Sequence, residues 1–341
     1  MKHKRKELQA LIIFLAVCGV AMFGLVGHEK LHDTPTEVMP KESGSVRFTA
    51  AGDYGANNNT RAVLKQVKAA NPDFHIAVGD FSYTQTANER EWCTYVKSII
   101  GKIPFQLISG NHESDGEDGY IGYFRECLPD RLNSVGDYGK EYYFDYPQES
   151  PLVRVVLISP DLTFGDEEDV YMYDEVESER YALFVNTVRE AKQSKIPWVV
   201  AVMHKNCISI SSKDCSIRKE LFETLLREDV DLIVQGHAHT YERTYQLTCL
   251  DPKNASCIVK PDGSRYKKGI GPILAIIGTG GKTPHDINTK DADAPFFTAF
   301  SGKNKNLSYG IGMVDISLSA LKMSFVSVLG GPQNDFFSIE K

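Results

Sequence analysis

The hydrophobic positions of this chain gather into short runs that stop abruptly. Residues 46–50, 74–78, 105–108, 199–202 and 232–234 are such runs, and most of them break off into a turn that contains glycine. A short apolar run bounded by glycine suits a strand buried on both faces in the middle of a sheet. Further strands are expected over 142–146, 153–158, 309–317 and 322–328, and helices over 60–70, 89–100, 177–194 and 217–228. The late strands have no helix between them, which predicts a second sheet with antiparallel pairs.

The residues that follow the five runs share a chemistry. In chain order they include Asp53, Asp80, Tyr83, Asn111, His204, His237 and His239, all side chains that bind hard or borderline metals. In open α/β sheets ligands bind in the crevice outside the carboxyl ends of the strands, so donors spread over nearly two hundred residues of chain can converge on one site. His237 and His239 are two apart, and on an extended segment they point to the same side. Taken singly, each donor has an ordinary explanation. An aspartate after a strand is usually a turn former or helix cap, a lone tyrosine packs, and an asparagine after glycine accepts a left-handed turn. Their joint order, with four of the nine histidines inside these motifs, points instead to a metal site. Seven donors, one of them able to bridge, exceed the needs of one ion, and two ions roughly 3.5–4 Å apart are the usual solution for displacement at phosphorus.

Other polar residues read differently. His75 lies inside a strand and is expected as a satisfied core histidine, His285 in a polar loop could approach the mouth of the site but is assigned no role, and Glu242 and Arg243 read as charges that support the metal ligands or the structure. The segment Gly278-Thr279-Gly280-Gly281-Lys282-Thr283 superficially matches the end of a P-loop. Ile276 stands where that motif needs its first glycine, and Pro284 follows where a helix should open, so the segment reads as a strand-to-loop turn.

The five blocks Gly52-Asp53-Tyr54-Gly55, Gly79-Asp80-Phe81-Ser82-Tyr83, Gly110-Asn111-His112-Glu113, Met203-His204 and Gly236-His237-Ala238-His239 resemble those of the calcineurin-like metallophosphoesterases, and within them the purple acid phosphatases. Gly55 stands where many relatives carry a histidine ligand, and Tyr83 replaces that donor with a phenolate, which suits Fe(III). The extension Thr240-Tyr241-Glu242-Arg243 is also similar to that family. The resemblance runs from about Val46 to the C-terminus. It implies an α/β fold with two mixed β-sheets packed as a sandwich and flanked by helices. It further implies that Asp53, Tyr83 and His239 bind Fe(III), that Asn111, His204 and His237 bind a second ion (Zn, Mn or Fe(II)), and that Asp80 bridges. Asn111 and His112 would contact the phosphate, and His112 would protonate the leaving alkoxide while a metal-activated hydroxide attacks in line. Lys205-Asn206-Cys207 after His204 departs from the family, which often has a proline and an aromatic residue there. Plant-type members carry an extra β-sandwich ahead of the catalytic domain; with a first strand near Ser45, none is expected here.

Composition fits one large enzyme domain over residues 45–341, with 42% hydrophobic and 24% charged residues. The net charge is −7, and residues 1–7 carry +3, which leaves −10 for the remainder and excludes a nucleic-acid-binding surface. Lys2, Lys4, Arg5 and Lys6 precede an apolar stretch at 8–27, long enough to span a bilayer. Residues 1–27 are therefore expected as a membrane anchor or signal segment, with the enzyme outside the cell, and 28–44 as a flexible linker. Besides Cys18, six cysteines form the sequence-local pairs Cys93 and Cys127, Cys207 and Cys215, and Cys249 and Cys257. Three disulfides and an oxidising compartment are expected, although six cysteines allow fifteen pairings.

The resulting expectation is an exported acid phosphatase that acts on small phosphate monoesters. The alternatives are a phosphodiesterase or nucleotide pyrophosphatase with the same metals, and a surface protein whose metal cluster binds without turnover. Oligomeric state is left open.

Overall fold

The computed structural model describes residue 36 and residues 38–114, 116, 118–128, 130–164, 170–174, 178–228, 230–331 and 334–341. In chain order its strands are β1 (Val46–Ala51), β2 (Phe74–Val78), β3 (Phe105–Ile108), β4 (Val135–Asp137), β5 (Glu141–Tyr146), β6 (Val153–Leu157), β7 (Trp198–Met203), β8 (Leu232–Gln235), β9 (Tyr241–Leu247), β10 (Ile258–Val259), β11 (Arg265–Lys267), β12 (Ile273–Ile277), β13 (Phe297–Ser301), β14 (Ser308–Ile316), β15 (Ala320–Gly330) and β16 (Asp335–Glu340). The α-helices are α1 (Asn58–Ala70), α2 (Glu89–Ile100), α3 (Asn111–Ser114), α4 (Ile121–Cys127), α5 (Glu179–Gln193) and α6 (Lys219–Arg227).

The strands form two mixed sheets, as expected for the α/β sandwich. One runs β11-β16-β15-β14-β1-β2-β3; the other runs β10-β9-β12-β8-β7-β6-β5-β4, with β13 paired on β9. Within the first sheet β1, β2 and β3 are parallel, and within the second β6, β7, β8 and β12 are parallel. These are the strands read from continuous apolar runs, and β1, β2, β3, β7 and β8 are buried along their whole length. The sheets approach closely where β12 faces β14: a Cβ added at Gly312 would lie 2.4 Å from Cδ1 of Ile277.

One expectation about topology is corrected. The late strands β14, β15 and β16 are antiparallel, but they do not make a separate sheet. Strand β14 pairs with β1, so they extend the first sheet. The cause is that β1, wholly buried, needs backbone partners along both edges, and β2 satisfies only one of them.

Helix starts follow side-chain caps. Asn57 accepts from the backbone N–H of Asn59 and Thr60 at 2.9 and 3.1 Å, which begins α1 two residues before the expected start. Asn88 caps α2 in the same way, accepting from Glu91 N–H at 3.0 Å. Disulfides join Cys93 with Cys127, Cys207 with Cys215 and Cys249 with Cys257.

The expected membrane segment, residues 1–27, lies outside the described residues. Among the described residues no helix is long and apolar enough to cross a membrane. The described end of the expected linker is held to the domain. Thr36 exchanges backbone hydrogen bonds with the Gln66 side chain at 2.6 and 2.8 Å, and Lys41 pairs with Asp73 at 2.8 Å.

Candidate metal centre

The carboxyl ends of β1, β2, β3, β7 and β8 meet at one place, and interlocking turns fix them there. Asp53 N–H donates to Gly79 O at 3.1 Å, Tyr54 N–H to Asp80 O at 2.9 Å, and Gly236 N–H to His204 O at 3.1 Å. Asp53, Asp80, Tyr83 and His237 all have positive φ, at 63°, 54°, 48° and 66°. Such backbone costs an L-residue roughly 1–2 kcal/mol and clusters where function demands it. The glycines serve close approach. A Cβ at Gly110 would lie 2.0 Å from Asp80 Oδ1, and one at Gly79, itself at φ 79°, would lie 2.5 Å from His204 Nδ1.

All seven sequence-predicted donors converge, in two groups that share Asp80. In the first, the Tyr83 hydroxyl lies 3.1 Å from Asp53 Oδ1, 2.9 Å from Asp80 Oδ2 and 3.1 Å from His239 Nε2. In the second, His204 Nε2 lies 3.2 Å from Asp80 Oδ1 and 3.3 Å from Asn111 Oδ1. Asp80, His204 and His237 offer ligand atoms all within 4.8 Å of one another. Asp80 thus turns one oxygen to each group.

The ring nitrogens agree with metal binding. His204 Nδ1 donates to Val78 O at 2.7 Å and His239 Nδ1 to Thr283 O at 2.9 Å, so each presents an unprotonated Nε2 to the cluster when neutral. Burial, and then the charges of His204 and Lys213, push His237 down to about 2, keeping it in the neutral form that ligates. Burial followed by the carboxylates of Asp53 and Asp80 pushes the Tyr83 phenol well above its ordinary range. Burial opposes a charge on His204, yet the carboxylates of Asp80 and Asp53 lift it to about 9, so its proton offsets the carboxylates where a cation would otherwise do so. Gathering a phenol, two carboxylates and several imidazoles in a dry pocket is costly unless positive charge neutralises them. Oxygen and imidazole donors in two groups with a shared carboxylate fit a pair of metal ions.

The calcineurin-like phosphoesterase family profile matches residues 31–241, which include the whole donor set. The chain belongs to the calcineurin-like phosphoesterases. Among curated relatives, purple acid phosphatase 21 of Arabidopsis thaliana is 25% identical over 267 residues, 75% of this chain and 53% of its own length. The purple acid phosphatase 22 of the same plant is 24% identical, again over 75% of this chain and 54% of its own. The chain therefore spans about half the length of these relatives. In fold, this phosphoesterase is similar to a purple acid phosphatase from yellow lupin (Lupinus luteus) seeds. The TM-score is 0.61 at 18% identity, over 89% of this chain and 55% of that one.

Several residues of this calcineurin-like phosphoesterase escaped the reading of its sequence. Glu113, inside the Gly110-Asn111-His112-Glu113 block but given no role, is buried and accepts from the backbone N–H of Asp80, Phe81 and Gly110 at 2.9, 2.6 and 3.0 Å. It locks the turns after β2 and β3 together. Asp118 accepts from His112 Nδ1, while His112 Nε2 stands 3.7 Å from Asp80 Oδ2 and its ring 4.4 Å from that of Tyr83. Their signal lay only in their position close after the Asn111 block. His285, left without a role, stacks on His239 at 4.1 Å between centroids, and its Nδ1 accepts from the His239 backbone N–H at 3.1 Å.

The structural readings agree with the contacts found. His75 is wholly buried between the Thr49 hydroxyl at 2.8 Å and the Tyr54 hydroxyl at 2.7 Å. Glu242 accepts from Thr240, Ser209 and the backbone of Ile210, tying β9 to the loop after His204. Arg243 forms a two-pronged ion pair with Asp335.

Proposed function

We propose that the protein is an exported dinuclear-metal acid phosphatase that hydrolyses phosphate monoesters to alcohol and phosphate. The observation that carries this reading is the division of the Asp80 carboxylate between two donor groups. Asp53, Tyr83 and His239 would hold Fe(III), and Asn111, His204 and His237 would hold Zn, Mn or Fe(II). When bound, the ions would supply Lewis acidity and acidify the attacking water. The chain's own contribution is to bind and to move a proton. Asn111 and His112 would contact the phosphate, and His112 Nε2 would deliver a proton to the leaving alkoxide oxygen as its bond to phosphorus breaks. The kinship with plant purple acid phosphatases supports the choice of chemistry.

Export is supported by three disulfides, which persist in oxidising compartments, and by the basic and apolar residues at positions 2–27. The domain would occupy residues 45–341.

Hydrolysis of p-nitrophenyl phosphate and bis(p-nitrophenyl) phosphate by the iron-reconstituted protein tests the assignment. A higher kcat/KM on the monoester supports it. A higher value on the diester points to the diesterase reading, and no turnover of either points to a metal-dependent binding protein. Trapping a phosphorylated side chain during turnover would overturn direct attack by water.

A further inference from the structure

The glycine-rich segment after β12, which only mimics a P-loop, has contacts of its own at the centre. Its glycines serve close packing against the first turn of the site. Gly280 N–H donates to Gly52 O at 2.8 Å, and a Cβ at Gly280 would lie 2.4 Å from that same oxygen. A Cβ at Gly278 would lie 2.8 Å from Asp53 Oδ2 and 1.9 Å from the carbonyl of Ala238, between the two histidines of the last motif. Glycine alone lets the loop over residues 278–285 come this near.

From there the one loop touches all three donors that belong to the first group alone. Lys282 N–H donates to Asp53 O at 2.9 Å, and the Lys282 ammonium lies 3.7 Å from the centroid of the Tyr83 ring. Thr283 O accepts from His239 Nδ1 at 2.9 Å. The His285 imidazole lies against that of His239, with 4.1 Å between centroids and 15° between planes. His285 Nδ1 accepts from the His239 backbone N–H at 3.1 Å, and its own N–H donates to His239 O at 3.0 Å. In the second group, His204 is held instead by Val78 O of β2. The stack and the paired backbone bonds keep His239 Nε2 aimed at the Tyr83 hydroxyl and Asp53 Oδ1, at 3.1 and 3.4 Å. A ligand fixed in this way by its neighbours holds an ion more tightly. The ammonium over the tyrosine ring attracts the electrons that a phenolate would donate, and a fixed positive charge near iron favours the form with one electron more.

We propose that the loop over residues 278–285 is a collar around the first ion, in which His285 positions His239 to retain that ion and Lys282 biases it, through the Tyr83 ring, toward the reduced state. The inference rests on the metal assignment of the phosphatase reading and deepens it by naming what governs the first site. In protein loaded with iron and zinc, His285→Ala should release iron to a chelator about tenfold faster than the wild type, while zinc at the second site stays. His285→Phe, which keeps the stack, should slow the release again. Spectroelectrochemical reduction of the visible band should show a lower potential in Lys282→Met and a restored one in Lys282→Arg. Equal loss of both metals from His285→Ala means a general loosening of the fold and overturns the collar. Unchanged iron release in His285→Ala, or an unchanged potential in Lys282→Met, overturns it too. A wild type that takes zinc in both sites refutes the ferric assignment alone. The collar then still predicts that His285→Ala loses one zinc which the wild type keeps, and equal zinc contents refute it.

Discussion

His112 turns Nδ1 onto the carboxylate of Asp118, and this leaves Nε2 facing the oxygens of Asp80. A carboxylate behind an imidazole fixes its tautomer and orientation, and losing such a partner commonly costs about 10–100-fold. Asp118→Asn should therefore lower kcat by about that factor with little change in KM. The loss should be larger for an alkyl phosphate than for p-nitrophenyl phosphate, because a poor leaving group depends more on protonation. An equal loss on both substrates would reduce Asp118 to a structural prop.

Tyr83 places its hydroxyl among Asp53, Asp80 and His239, where a phenolate bound to Fe(III) would give a visible charge-transfer band. Tyr83→Phe should abolish the band in iron-loaded protein. Lys282→Met should shift it to longer wavelength, since a cation on the ring face stabilises the phenolate electrons that the transition promotes. Absorption spectra of the three proteins at equal iron content decide both points, and a colourless wild type would remove iron from the assignment.

The strand ends that carry the donors were legible because β1, β2, β3, β7 and β8 are buried on both faces, which leaves continuous apolar runs and sharp turns in the sequence. Strand β9 was not, since Glu242, Arg243 and Gln246 are buried polar groups paired with partners far away in the chain. Strand β13 escaped because its middle residues are only half-buried and it pairs through an irregular register. Which sheet β14 joins depends on which edge of β1 is free, and no local pattern records that. Beside the donors, Asp118 and His285 belong to loops whose sequence carries no period; only tertiary packing brings them to His112 and His239.

Stability should weaken in acid through His75. Burial lowers this imidazole from 6.5 to about 3, between Thr49, Tyr54 and Phe105. With the folded pKa below the unfolded one, its contribution is complete above pH 6.5 and is lost as pH falls toward about 3, at up to ~1.4 kcal/mol per pH unit. Glu242 acts with the opposite sign. Burial raises it to about 7, so its contribution is complete below pH 4.5 and is lost as pH rises through about 7. Urea midpoints from pH 7 to 4 should fall less steeply in His75→Gln than in the wild type; parallel curves would refute the assignment to His75.

The disulfides should differ in what they hold. Cys93–Cys127 spans 34 positions and ties α2 to α4, beneath the loop that supplies Asp118, whereas Cys207–Cys215 and Cys249–Cys257 each span 8. Loop entropy in the unfolded chain makes the first worth about 4 kcal/mol and each of the others about 2.5 kcal/mol. Cys93→Ser/Cys127→Ser should therefore lower the unfolding midpoint most. Cys207→Ser/Cys215→Ser and Cys249→Ser/Cys257→Ser should each cost less, by similar amounts. Equal midpoint losses in the three double variants, measured by urea unfolding, would refute the ordering by loop length.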